Sequence, residues 1–344
     1  MKDPAQQSDK NWPKDEFGRQ EVEAQWFLII GIPLLIALVA VLAAALLPGI
    51  AWLKGRKAGR VVLYCAQDQT YAEPILHQFE AETGVRVQAV HDSEAVKTVG
   101  LANRLLAERD HPQCDVFWGN EEMRTRQLAA FQVWRETNGF STFGARVRCL
   151  VLNTNFVAPD RQPAPRSLLE LTNAAWRGRV AVAFPQFGTT ATHFQVLRQY
   201  WGEAPWDQWC RALVANEAKV LDGNSTVVKW VGRGEAWIGL TDTDDVWAGQ
   251  REGLPVARGP DLSETLLFIP NTVGIVRGAP HPEAAQALAD YLQRPETIQR
   301  LLTSGAIQYP EVPALDQPVL EPDWDRILAD LPSTTEQLSR LFLR

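Results

Sequence analysis

From Trp26 to Leu53 the chain carries 28 consecutive residues with no charged side chain and no polar aliphatic one. At about 1.5 Å per residue, a helix over that run exceeds the ~30 Å hydrocarbon core of a bilayer, even with Pro33 and Pro48 inside it. The sequence therefore predicts a transmembrane helix over residues 26–53, after a polar tail (1–25) and before a basic linker (54–60) and a long globular sequence. A cleaved signal has a shorter apolar core, of about 7–15 residues, and a short basic leader. The small-x-small pair Ala43 and Ala45 keeps that alternative open, as does a buried soluble helix. Trp26 and Trp52 stand at the two ends, where an interfacial aromatic belt places them.

Basic residues flank the run on both sides: Lys2, Lys10, Lys14 and Arg19 before it, and Lys54, Arg56, Lys57 and Arg60 directly after it. Charge alone keeps the following domain on the cytoplasmic side. Long domains translocate despite such charges, and the functional reading below places the globular part on the periplasmic side of an inner membrane.

The whole chain has a net charge of −7, and its first 60 residues hold more basic than acidic side chains. The remainder is more acidic still and offers no electrostatic footprint for nucleic acid. Cys65, Cys114, Cys149 and Cys210 are widely spaced, without a CxxC pair or zinc spacing, so buried thiols and a single disulfide both remain open.

Beyond residue 60, short β-branched runs alternate with helical spacing. Strands are predicted at Arg60 to Ala66, Val85 to Val90 and Cys114 to Trp118. Helices fall between them, over Tyr71 to Thr83 and Glu94 to Glu108. The rhythm restarts after a strand at Arg146 to Asn153, with further strands at Val180 to Phe184, Ala236 to Leu240 and Asn271 to Arg277. Such alternation implies an α/β architecture with helices covering a parallel sheet. Trp324, Ile327, Leu328 and Leu331 recur at helical spacing in the tail. In open sheets, ligands lie beyond the carboxyl ends of strands. Those places hold Gln67, Asp68 and Gln69; Asp92, Ser93 and Glu94; Asn120 and Glu121; Gly188, Thr189 and Thr190; Asn224 and Ser225; and Asp242 to Asp245. These short polar residues are equally good helix caps.

Carried by Leu63 to Gln69 (LYCAQDQ), Asp92 to Leu101 (DSEAVKTVGL), Asp115 to Glu121 (DVFWGNE), Ala145 to Thr154 (ARVRCLVLNT), Phe187 to His193 (FGTTATH), Gly223 to Thr226 (GNST), Gly239 to Asp245 (GLTDTDD), Pro270 to Thr272 (PNT) and Gly278 to Pro282 (GAPHP), the chain resembles the iron(III)-type family of extracellular solute-binding proteins of ABC transporters. The resemblance covers roughly Val61 to Val312. It implies a two-lobed periplasmic-binding-protein (type II) fold that closes over a small solute by hinge motion. Lobe 1 is expected over 61–152, lobe 2 over 153–267, a return to lobe 1 over 268–312 and a helical tail over 313–344. The crossings are placed near Asn153 and Phe268.

On this resemblance the ligand-facing candidates are Asp68, Gln69, Asp92, Glu94, Asn120, Glu121, Thr189, Thr190, His193, Asn224, Ser225, Asp242, Thr243 and Asp244. The ligand would be a metal ion or a small anion, and any metal would be held by Asp242, Asp244 and Glu121. His193 is open between facing the cleft and packing. Iron binders of the family present paired tyrosines where this chain reads Thr241 to Asp245. The segments Met123 to Phe140 and Pro260 to Ile269 are also short for the family, which implies weakened solute binding.

No P-loop, G-x-S-x-G, H-E-x-x-H or G-x-G-x-x-G motif is present, and enzymatic activity is not expected. Two functions follow. The first is a membrane-anchored solute-binding protein delivering a small ligand to an ABC permease. The second is an accessory subunit of a membrane complex that keeps the binding fold as a scaffold, held by the bilayer and other integral membrane proteins. The 13 tryptophans suit either core packing or such an interface.

Overall fold

The computed structural model of the protein describes residues 59–92, 97–136, 139–314 and 318–343. The apolar run 26–53 and Glu94 lie outside the described residues. Among the described residues, no helix is long and apolar enough to cross a membrane.

Among the described residues nine strands form one sheet, eight of them in the order β2-β1-β3-β9-β4-β7-β5-β6 and β8 paired with β4 off that path. They are β1 (Arg60–Cys65), β2 (Arg86–Val90), β3 (Val116–Gly119), β4 (Phe140–Asn153), β5 (Val180–Ala183), β6 (Lys219–Leu221), β7 (Ile238–Asp242), β8 (Val256–Arg258) and β9 (Phe268–Ile275). β1 pairs in parallel with β2 and β3, and β5 in parallel with β6 and β7. These are the two βα rhythms visible in the sequence, and each parallel pair requires a helical crossover. β3 and β5 are buried along their whole length, VFWG and VAVA, as strands covered by helices on both faces must be.

β4 joins the two halves. As far as Val147 it pairs with β9, and from Arg148 onward with β7. The exchange of partners thus comes within the strand, at Val147 and Arg148, whereas the sequence placed the crossing near Asn153. A long strand can belong to two sheets because its right-handed twist accumulates along its length and turns its two ends towards different partners, and a register irregularity between Phe143 and Ala145 adds to that twist. β9 begins at Phe268 and lies antiparallel between β3 and β4.

The helices are α1 (Gln69–Thr83), α2 (Lys97–Ala107), α3 (Glu122–Ala130), α4 (Gly188–Trp201), α5 (Glu203–Ala215), α6 (Asn224–Arg233), α7 (Thr243–Arg251), α8 (Pro282–Leu292), α9 (Pro295–Ser304) and α10 (Trp324–Phe342). One apolar core gathers α1, α8 and α9 against β1, β3 and β9; another gathers α4, α5 and α10 against β5 and β7. Trp118, Trp134 and Trp206 are among the largest fully buried side chains, so much of the tryptophan content is core. None of the four cysteines forms a disulfide and all are buried.

α10 packs on α4 and α5 and also reaches α3. Its buried Ile327, Leu331, Leu338, Leu341 and Phe342 each contribute about 1.5–3 kcal/mol. The half-exposed ion pair Arg198–Asp330, 2.6 Å long, is worth about 0–1 kcal/mol. Apolar packing therefore holds this helix. At its start, the Arg126 guanidinium of α3 lies 5.1 Å from the Trp324 ring.

A separate contact links α7 to the end of α9. Arg251 donates to Tyr71 Oη at 3.0 Å and to the Ser304 carbonyl, and Trp247 covers Gly305. Gly305 caps α9 at φ 81°, and a Cβ there would stand 2.9 Å from Trp247 Cε3. Gly305→Ala is expected to destabilise the protein by about 1–2 kcal/mol from the left-handed backbone alone, and by more through displacement of Trp247. Gly253→Ala, at φ 79° with nothing within 4 Å, supplies the backbone part by itself. Equal urea midpoints for the two variants would show that the Trp247 contact contributes nothing.

Candidate functional site

The carboxyl ends of β1, β3, β5 and β7 open on one small cavity of about 70 Å³. Gln67 and Asp68 follow β1, Asn120 follows β3, and Thr98 comes from α2. Opposite them stand the first turn of α4 (Gly188, Thr189, Thr190), the start of α6 (Gly223, Asn224), and Asp242, Asp244 and Asp245 at the β7–α7 junction. α4 and α6 begin after Phe187 and Gly223, and neither residue supplies a side-chain cap. The positive ends of both helix dipoles therefore meet the cavity. A drug-sized ligand needs about 300–1,000 Å³. This cavity suits an ion or a very small polar molecule.

Two buried arginines stand at one side of the site, and of the two Arg146 lines the cavity. Arg146 and Arg148 sit two apart on β4 and so share a face, with side chains 3% and 0% exposed. Asp242 is their common partner. Its Oδ1 accepts from Arg148 Nη1 at 2.7 Å, while its Oδ2 accepts from Thr189 Oγ1 at 2.6 Å, Asn224 Nδ2 at 3.1 Å and Arg146 Nε at 3.3 Å. Arg146 also donates through Nη2 to the Asn120 carbonyl at 2.7 Å and lies 3.5 Å from Asp244 Oδ1.

Titration follows from these contacts. Burial opposes ionisation of Asp242, but Arg148 and Arg146 overcome it and hold its carboxyl below the usual range. Burial pushes Asp244 up to about 7 against the pull of Arg146, with Asp242 and Asp68 adding to the rise. Asp245 is raised well above its ordinary value by burial and by Asp244. Burial and the neighbouring Arg148 charge lower His193 to about 3. The neutral ring fits its contacts, with Nε2 2.6 Å from the Glu264 carbonyl and Nδ1 3.4 Å from Arg148 Nε.

Asp68, Asn120, Thr189, Thr190, Asn224, Asp242 and Asp244 thus come together around the cavity. Gln69 and Ser225 line a neighbouring cavity of about 230 Å³ between α1, α6 and α7. Glu121 is buried, caps α3 by accepting from the Arg124 amide at 3.0 Å, and accepts from Thr192 Oγ1 at 3.0 Å. Burial raises its carboxyl. Thr243 accepts from the Val147 amide at 3.2 Å. Neither Glu121, Thr243 nor His193 faces the cavity, and Asp92, at the end of β2, does not reach it.

Sequence reasoning passed over Arg146 and Arg148, which it read only as part of a strand. The available signal was a pair of charges at strand spacing inside an otherwise buried apolar run.

Asp242, Asp244 and Glu121 are the residues that the resemblance implies would hold a metal, if one binds. Oxygens of Asp242, Asp244 and Asp245 lie within 4.8 Å of one another, and carboxylates are hard ligands. Glu121 is not in that group, because its carboxylate is turned to the α3 amides and Thr192.

Two α/β lobes sharing β4 and β9, with polar helix starts converging between them, define the two-lobed periplasmic-binding-protein fold. The family model of bacterial extracellular solute-binding proteins matches residues 61–305, and the chain belongs to that family. It is similar to the iron uptake protein A1 of Synechocystis, 24% identical over 278 residues, covering 72% of this chain and 74% of that protein. Among solved structures it is similar to iron-bound HitA from Pseudomonas aeruginosa, with TM-score 0.71 and 18% identity, covering 83% of this chain and 100% of that one. It is also similar to AfuA from Actinobacillus pleuropneumoniae with fructose-6-phosphate bound, with TM-score 0.69 and 18% identity, covering 84% and 100%.

Proposed function

We propose that the protein is a membrane-anchored solute-binding protein that captures a metal ion or small oxyanion between its lobes and delivers it to an ABC permease. The observation that carries this reading is the 70 Å³ cavity, walled by Asp68 and Asn120 from one lobe and by Thr189, Asn224 and Asp244 from the other. In this reading lobe 1 comprises 61–152 and 268–312, lobe 2 comprises 153–267, residues 26–53 span the bilayer, and the domain faces the periplasm. The ligands named for similar proteins run from iron to a sugar phosphate, which suits a wall carrying both carboxylates and helix N-termini. Catalysis has no role in it.

The test is calorimetric titration with metal chlorides and oxyanions, paired with small-angle scattering. Binding accompanied by a smaller radius of gyration is expected. Absence of heat with every ligand would favour the second reading, an accessory subunit of a membrane complex. The saturation of Asp242 by four donors from its own chain speaks for that second reading. Mild detergent extraction yielding a lone monomer would count against it.

A further inference from the structure

We propose that Arg146 sets the ligand class of the cleft, closing its acidic cluster to bare metal cations and leaving an anionic oxygen group as what the cavity takes up. This rests on the capture reading above. The three carboxylates of Asp242, Asp244 and Asp245 are spaced as a metal site would be, but a cation already stands among them. Arg146 Nε is 3.3 Å from Asp242 Oδ2 and 3.5 Å from Asp244 Oδ1. A metal ion on those carboxylates would need the same lone pairs and would sit beside a fixed, desolvated positive charge. Arginine does not step aside by losing its proton. Nor does it swing away freely, because its Nη2 is anchored to the Asn120 carbonyl.

Of the buried side-chain atoms that line the cavity and have no partner, two are donors and one is an acceptor. Arg146 Nη1 and Gln67 Nε2 have no hydrogen-bond partner, although both residues are more than nine-tenths buried and both line the cavity. The starts of α4 and α6, 14 and 10 residues long, bring the positive ends of their dipoles to the cavity, where Phe187 and Gly223 supply no side-chain cap. The buried lining acceptor without a partner, Asp244 Oδ1, faces Arg146 itself, while the carboxylates of Asp68, Asp222 and Asp245 stand elsewhere on the lining. Charge-assisted donors and helix N-termini together recognise an oxyanion. The cavity volume of about 70 Å³ limits the buried group to about the size of one phosphoryl or sulfate group.

The experiment uses detergent-purified full-length protein in phosphate-free buffer. The probes are inorganic phosphate, fructose 6-phosphate, manganese(II) chloride, and terbium(III) chloride followed by tryptophan-sensitised luminescence. Wild-type protein is expected to bind a phosphate probe and neither metal. Inorganic phosphate binding identifies a free ion as the source, and binding of the sugar phosphate alone identifies a phosphoryl group on a larger molecule. Arg146→Gln is expected to weaken phosphate binding about tenfold or more, as loss of a charge-assisted contact does, and to gain terbium binding. Gln67→Leu, which leaves the ion pairs intact, should weaken phosphate binding without admitting metal. Metal binding by wild type in the absence of anion, or unchanged phosphate affinity in Arg146→Gln, overturns the proposal while leaving solute capture in place. Wild type that binds no probe overturns the capture reading and the anion assignment with it. Terbium gained by Arg146→Gln in that case still upholds the exclusion of cations.

Discussion

Asp242→Ala is expected to lower the unfolding free energy by about 3–5 kcal/mol, the usual result of stranding a buried charge. Arg146 would keep Asp244 at 3.5 Å, but Arg148 would be left with only the neutral Thr189, Asn224 and His193 around it. Urea unfolding followed by tryptophan fluorescence reads the change directly. The double variant Asp242→Ala, Arg148→Met should recover most of the loss, because removing both members of a buried pair is often close to neutral. A single variant within about 1 kcal/mol of wild type would mean that Asp242 is not the counter-ion on which the two arginines depend.

The second large effect is on pH. The folded-state value of Asp244, about 7, lies above the ~3.9 of an unfolded chain. Between those values the folded state holds the extra proton, so the contribution of Asp244 to stability falls as pH rises from about 4 to 7 and is level above that. Asp242 has the opposite sign, since its lowered value makes its contribution present above about pH 4 and lost as pH falls below. His193, depressed to about 3, favours the folded state increasingly as pH rises towards about 6.5. These slopes overlap, so the informative quantity is the difference between Asp244→Asn and wild type. The variant should gain about 2–3 kcal/mol relative to wild type between pH 5 and pH 8, at about 1.4 kcal/mol per unit. A difference independent of pH would show that Asp244 titrates normally.

Much of the fold was legible in the chain because βα alternation leaves a strong pattern. VFWG and VAVA can hardly be anything but covered strands, and the rule that ligands gather past strand ends brings Asp68, Asn120, Thr189, Asn224 and Asp242 to one place. The rule stops at the direction of a side chain. Glu121 adjoins Asn120 in sequence yet turns into α3, and His193 lies one turn beyond Thr189 and Thr190 on a helix whose first turn alone meets the cavity. Such choices are set by the roll of each element against its neighbours, which local spacing does not encode. Arg146 and Arg148 were missed for a related reason. Their spacing marks a shared strand face, but only the arrival of Asp242 from a strand nearly a hundred residues away shows what that face meets.

The position of β9 also fixes an order of events during synthesis. The sheet that holds β5 to β8 is complete in the chain by residue 258, although α10 joins the core beside it only with the last residues. The other lobe waits, because β9 fills the gap between β3 and β4 and arrives only with Phe268. Until then β3, one of the most apolar strands in the molecule, carries an unpaired edge. At typical elongation rates the interval between Gly119 and Phe268 is on the order of ten seconds, long enough for that edge to recruit a strand from another chain. The second sheet to begin is therefore the first whose strands can all pair, and chaperone dependence should be concentrated on the open edge of the first.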